Sequence, residues 1–198
     1  MRCKRNNINP EKQSLTERIL LHLAGAADFG FSYRFNKGMG FSQFPGNALR
    51  KLIRNNKKDF QESITELKKS KFIEKKKNYD GSILVSLTEK GMFRALSVRF
   101  KRLANKRERW DGKWRMLAYD IPNKCRKGRN ALRYRARTAG FYELQKSLFL
   151  YPYDCEKEIK DFVQLFKLEK YVCFALLDYI DDQDFLLRKF KIRKGAKK

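Results

Sequence analysis

The chain is poor in the residues on which most active sites depend. Histidine occurs once, at His22, which removes most histidine-based triads and general-base schemes. His22 itself falls on an expected core helix, where a packed imidazole is the simpler reading. Cysteine occurs four times, as Cys3, Cys125, Cys155 and Cys173, and never in a C-x-x-C pair. With a single histidine this suggests neither a zinc site nor a disulfide framework, so the four read as small buried hydrophobes or free thiols. No stretch approaches the roughly 18 apolar residues that a membrane span requires. The charged start Met1-Arg2-Cys3-Lys4-Arg5 runs into polar Asn6-Asn7 and not into an apolar signal core, so a cytoplasmic protein without a membrane partner is expected.

Acid is also scarce, with 22 Asp and Glu against 47 Lys and Arg, a net charge of +25. Up to Arg109 there are 26 basic and 10 acidic residues, and beyond it 21 and 12. Both halves are basic, the first more so. A charge of this size points to a polyanion, double-stranded DNA above all, more readily than to a small neutral substrate. At 198 residues and 42% hydrophobic content the chain has enough apolar material for a real core in one or two domains.

Residues 1 to 13 read as a basic arm. Leu15, Ile19, Leu20 and Leu23 recur at helical spacing up to Gly25, with Ser14 or Thr16 as the cap. Phe29 to Pro45 mixes glycines with aromatics and is read as an aromatic hairpin or ordered loop that completes a core. A short helix is expected over Asn47 to Asn55, with Arg50, Lys51 and Arg54 outward. A turn at 55–58 then leads to a second helix, Phe60 to Lys69, capped by Asp59. Its Phe60, Ile64 and Leu67 point inward, and Gln61, Glu62, Thr65, Lys68 and Lys69 outward. Helix, turn, helix is a DNA-reading layout. Phe72 to Lys77 and Ser82 to Leu87, joined at Asp80-Gly81, form a hairpin, and Thr88-Glu89-Lys90 opens a closing helix towards Leu96.

These elements make a winged helix over residues 1–98. In such a unit the second helix of the pair enters the major groove and the hairpin meets phosphates or the minor groove. Gln61 and Thr65 are then candidates for base edges. Arg50, Lys51, Arg54, Lys68, Lys69, Lys75, Lys76 and Lys77 are candidates for the backbone. A basic helical connector over residues 99–112 leads to a second domain, 113–198.

The second domain is organised around Trp110 to Tyr151. Trp114 to Ile121 reads as a buried strand ending in Asp120 and stopped by Pro122. Arg126 to Thr138 is a basic helix with Leu132 and Ala136 as a narrow apolar stripe, ended by Gly140 in a left-handed cap. Phe141 to Tyr151 reads as one further strand. A helix from Asp154 or Glu156, a strand Tyr171 to Tyr179 and a last helix Phe185 to Ile192 follow. The Asp120-Ile121 end, the basic helix, Gly140-Phe141 and Leu144 to Phe149 resemble the CRISPR-associated ferredoxin-like small nucleases of spacer acquisition. With Trp110-Asp111-Gly112-Lys113-Trp114-Arg115 in front and Pro122 behind, the segment resembles still more the PaaX family of transcriptional regulators, which join a winged helix to a ferredoxin-like domain.

The expected architecture is therefore α+β, an N-terminal winged helix-turn-helix joined to a ferredoxin-like α+β sandwich. Both faces of the expected sheet are apolar while its two crossover helices cover only one, so a symmetry mate is expected on the other and the protein is expected to be a homodimer. The resemblance implies a DNA-binding regulator in preference to an enzyme, with no cofactor beyond the Mg²⁺ of the alternative below and no assigned effector. The alternative is a nuclease or CRISPR-adaptation-like protein in which Asp120 from two copies holds a Mg²⁺ ion.

Overall fold

The computed structural model describes residues 14–27, 33–35, 57–77, 79, 81, 83–106 and 108–192. The chain divides into two compact units, Met1–Val98 and Arg99–Lys198. Both are mixed α and β, each built on one antiparallel sheet.

In the first unit, α1 (Leu15–Ala27) is followed by β1 (Tyr33–Phe35), α2 (Lys57–Lys69), β2 (Ile73–Lys77), β3 (Ile83–Leu87) and α3 (Glu89–Ala104). Ser14 caps α1 by accepting the Glu17 N–H at 3.2 Å, and the helix continues two residues past Gly25. Helix α2 begins at Lys57, earlier than the expected start, because Lys57 and Lys58 continue the helical turn. Asp59 therefore sits inside the first turn, where its charge meets the positive end of the helix dipole and does not cap it.

Strand β3 is the centre of a three-stranded sheet, with β1 on one side and β2 on the other. Gly81, at φ +77, supplies the left-handed residue that the β2–β3 turn needs. Ile19, Leu20 and Leu23 of α1 pack with Phe60, Ile64 and Leu67 of α2, and Ile73 and Val85 close the core from the sheet. Burying each of these large side chains is worth about 1.5–3 kcal/mol. His22 is half-buried on α1. The expected helix over 47–55, with Arg50, Lys51 and Arg54, lies outside the described residues. So does most of the aromatic stretch 29–45.

The second unit takes the last residues of α3. Phe100 meets Phe162 edge-on at 6.0 Å, Arg99 pairs with Asp161, and the Tyr151 hydroxyl donates to the Leu103 carbonyl at 2.6 Å. Then come β4 (Trp114–Tyr119), α4 (Arg126–Thr138), β5 (Tyr142–Gln145), β6 (Leu148–Tyr151), α5 (Glu156–Leu165), β7 (Val172–Leu177) and α6 (Gln183–Phe190). The sheet order is β5-β6-β4-β7, antiparallel throughout, so the unit is a β-α-β-β-α-β fold with one added helix. The single strand expected over 141–151 is a hairpin. Its turn, Lys146-Ser147, carries no glycine, proline or asparagine to announce it, and a register shift between Glu143 and Gln145 blurs the alternation.

Two features explain the opening motif of this unit. Asp111 accepts both guanidinium nitrogens of Arg115, at 2.7 and 2.6 Å, and Arg115 also donates to the Lys113 and Pro152 carbonyls. Gly112 makes the turn at φ +86. Trp110 packs on Trp114 at 5.0 Å and donates its indole N–H to the Lys113 carbonyl at 2.8 Å. The motif is a clamp that fixes the start of β4.

Strand alternation places Trp114 and Leu150 on one sheet face and Leu117 and Phe149 on the other, all fully buried. The expectation that one face is left bare within the chain is corrected here. Leu186 and Leu187 of α6 cover Trp114 and Leu150, because Asp182 in a left-handed conformation (φ 57) starts the helix after β7. Met116, Ala118, Leu148 and Ala175 on that face are half-buried and Cys173 is exposed.

Candidate nucleic-acid interface

On α2, the inward placement of Phe60, Ile64 and Leu67 leaves Lys58, Gln61, Glu62, Thr65, Lys68 and Lys69 exposed on one surface. Thr65 donates its hydroxyl to the Gln61 carbonyl at 2.8 Å, so towards a ligand its oxygen is an acceptor. Glu66 turns away from this surface and accepts the Thr16 hydroxyl of α1 at 2.9 Å. The helix closes through a Schellman motif, with the Phe72 N–H on the Leu67 carbonyl and the Lys71 N–H on the Lys68 carbonyl, both at 2.9 Å.

The three hairpin lysines, expected to act together, divide between two faces. Lys75 and Lys77 pair across β3 with Val85 and Ile83, on the side of buried Ile73, whereas Lys76 lies opposite Leu84 on the other side with Glu74. Partial burial, together with the charge of Lys68, lowers the pKa of the Lys75 ammonium below the ordinary lysine value. Lys68 of α2 and Lys75 of β2 thus repel each other as like charges, and an anion beside them would relieve that repulsion. Tyr79, fully exposed at the tip of the β2–β3 connection, is a surface residue missed in the sequence. Its only signal was an aromatic beside an Asp-Gly turn.

In the second unit Asp120 stands exposed where β4 ends, its backbone N–H donating to the Tyr171 carbonyl at 2.9 Å. Among the described residues its carboxylate takes no hydrogen bond or ion pair. Arg129 donates instead to the Ile121 carbonyl and to Asn123, at 3.0 and 3.1 Å. The described residues of one chain hold no group of three or more His, Cys, Asp or Glu suited to a metal.

Helix α4 contains six cations and no acid. Arg133 and Arg137 share Glu143 of β5, at 2.6 and 2.7 Å, and hold its carboxyl below the ordinary carboxylate range, Arg133 first. Leu132 and Ala136 are fully buried, as their spacing predicts. Gly140 at φ +87 completes a Schellman cap with the Gly140 N–H on the Arg137 carbonyl and the Phe141 N–H on the Ala136 carbonyl. The Cys155 thiol is buried, which raises its pKa, and this leaves it an inert packing group. No helix among the described residues is long and apolar enough to cross a membrane.

Compared with known families, residues 107–184 match the PaaX protein central Cas2-like domain. That span runs from before the Arg115 clamp to the first residues of α6, so the second unit is similar to that domain over most of its length. No curated protein and no solved structure matches the chain.

Proposed function

We propose that the protein is a PaaX-type transcriptional regulator that reads duplex DNA with a winged helix in its first unit and dimerises through a ferredoxin-like second unit. The observation that carries this reading is the PaaX match over residues 107–184. The first unit supports it with its element order, helix, strand, helix, hairpin and helix, and with the convergence of Lys68 and Lys75 beside the exposed surface of α2. The strand order β5-β6-β4-β7 supports the ferredoxin-like assignment. Gln61 and Thr65 face base edges, and Lys68, Lys69, Lys75 and Lys77 face phosphates, with Lys76 on the opposite side of the hairpin. Arg50, Lys51 and Arg54 belong to the same proposed surface. The proposed compartment is the cytoplasm, as expected from the sequence. Dimerisation is proposed through the strip around Ala118, Cys173 and Ala175, which lies outside the cluster covered by α6.

The test is duplex binding as a function of salt. Each neutralised phosphate contributes about −0.9 to the slope of log affinity against log salt. Replacing Lys75 and Lys77 by Gln should flatten that slope for every sequence, and Lys76→Gln should flatten it less. Gln61→Ala or Thr65→Ala should instead erode preference for the best site. A wild-type slope in the Lys75/Lys77 variant rejects the assignment, and light scattering that gives a monomer mass rejects the dimer.

A second reading is favoured by one observation, the exposed Asp120 without a partner at the end of β4. On that reading the protein cleaves DNA or RNA with Mg²⁺ or Mn²⁺. Robust cleavage that disappears in Asp120→Asn replaces the regulator by a nuclease.

A further inference from the structure

We infer that α4 is a second contact for duplex DNA, made to the phosphate backbone and independent of base sequence. This inference does not rest on the winged-helix reading of the first unit. Burial of Leu132 and Ala136 leaves Arg126, Lys127, Asn130, Tyr134, Arg137 and Thr138 as the exposed surface of the helix. Across these 13 residues there is no carboxylate, whereas an ordinary solvated face intersperses both signs. Arg126 and Lys127 have no hydrogen bond or ion pair among the described residues. Both lie in the first turn, where cations oppose the helix dipole. The fold thus carries a charge arrangement that lowers its own stability, and such departures mark function more often than packing.

The rest of the surface agrees. Tyr134 is 61% exposed at the middle of the face, with the Arg135 guanidinium 5.7 Å from its ring, and tyrosine hydroxyls are ordinary phosphate contacts. At 1.5 Å per residue the face from Arg126 to Arg137 extends about 16 Å. Over that length a duplex presents about nine phosphate charges. The helix backbone is also held firmly, by the Gly140 cap and by the Arg129 bond to the Ile121 carbonyl, so only the side chains are left to be ordered on binding. An acidic protein partner fits less well, because protein interfaces centre on buried apolar anchors and depleted charge.

The experiment uses the full chain with a random-sequence duplex, a single strand of equal length, and a range of salt. In Arg126→Gln/Lys127→Gln the slope of log affinity against log salt should become shallower by about 0.9 for each phosphate no longer neutralised, with the ratio of best-site to random binding unchanged. The charge-retaining exchange Arg126→Lys/Lys127→Arg should keep the wild-type slope and guards against a folding artefact. The weakening should persist when Lys75 and Lys77 are already neutralised. A wild-type slope in the double Gln variant overturns the inference, as does a weakening that vanishes in the Lys75/Lys77 background. If Tyr134→Ala weakens single-strand binding more than tenfold and leaves duplex binding unchanged, the surface serves single strands and the duplex assignment is wrong.

Discussion

The two basic helices, α2 in the first unit and α4 in the second, both begin with two cations, Lys57 and Lys58 or Arg126 and Lys127, but only α2 follows them with acids, Asp59, Glu62 and Glu66. In α2 the acid Asp59 lies in the first turn and Lys68 and Lys69 in the last, the placement that the helix dipole rewards. Lys68 and Lys69 are therefore accounted for by helix stability alone, before any DNA is considered, and Lys57 and Lys58 are offset by the neighbouring Asp59. Helix α4 has no acid at its start and two cations there, with Arg135 and Arg137 at its end. Only the second pair suits the dipole. A basic helix is thus weak support for a polyanion ligand when acids offset its cations, as in α2, and stronger support when none does, as in α4.

The helices also differ in how they are seated, and the largest predicted effect exploits that. A methyl at Gly91 would lie 1.9 Å from the Phe72 carbonyl oxygen, which follows α2 and already accepts the Thr88 N–H at 3.1 Å. Backbone has to move, so Gly91→Ala should cost about 3 kcal/mol, the upper range for overpacking, and lower the urea midpoint of the first unit. At Gly128 in α4 a methyl meets side-chain atoms and not backbone, Leu168 Cδ1 at 3.1 Å and Phe166 Cδ1 and Cβ at 3.2 and 3.5 Å. Gly128→Ala also gains about 1 kcal/mol of helix propensity, so its stability should stay within about 1 kcal/mol of wild type. An equal destabilisation at both sites would show that α4 is seated as rigidly as the α2–α3 junction.

The caps give a smaller contrast. Both helices end in the same motif, but the left-handed residue is Gly140 after α4 and Lys71 after α2. Gly140→Ala should destabilise by about 1–2 kcal/mol, the cost of placing a Cβ in that region. Lys71→Gly should stabilise by about 0.5 kcal/mol, the relieved strain exceeding the entropy that glycine adds to the unfolded chain. Thermal unfolding of both variants checks the opposite signs.

Much of this was readable in the sequence, and the unreadable parts share a cause. The stripe Phe60, Ile64 and Leu67, the stripe Leu132 and Ala136, the Gly81 turn and the Gly140 cap each carry a local signal, and each appears where that signal places it. The Lys146-Ser147 turn has no such signal, and the left-handed Lys71, Lys167 and Lys191 stand where glycine or asparagine would have announced a stop. The cover that α6 gives Trp114 and Leu150 depends on pairing between distant segments, and so does the separation of Lys76 from Lys75 and Lys77. For the proposed DNA surface, exposure was legible from helical periodicity. The neighbourhood of Lys68 and Lys75 was not, because it arises between a helix and a strand.

A still smaller difference is confined to acid. Arg133 and Arg137 hold Glu143 below its ordinary value of 4.5, a depressed folded-state pKa. That contribution to stability is fully present above the unfolded value and is lost as pH falls through the folded one. Between neutral pH and about pH 5 the Tm of Glu143→Gln should lie below wild type, and the gap should close as the pH is lowered further. A constant gap would mean that Arg133 and Arg137 are held by interactions other than the Glu143 charge.

The smallest effect bears most directly on the comparison. Lys127→Glu places an acid in the first turn of α4, as Asp59 stands in α2, and separates Arg126 from a like charge. Dipole and repulsion then act in the same direction, so the variant should be more stable by a few tenths of a kcal/mol at low salt, fading as salt is added. The same change should weaken duplex binding, because it removes one cation and adds an anion on the face assigned to phosphates. Stability and affinity therefore move in opposite directions at this residue, the pattern expected where a helix keeps unfavourable charge for the sake of a ligand. In α2 the corresponding change, Asp59→Lys, should lower stability by a similar amount. If Lys127→Glu instead destabilises α4, its first-turn cations are structural and the contrast between the two helices disappears.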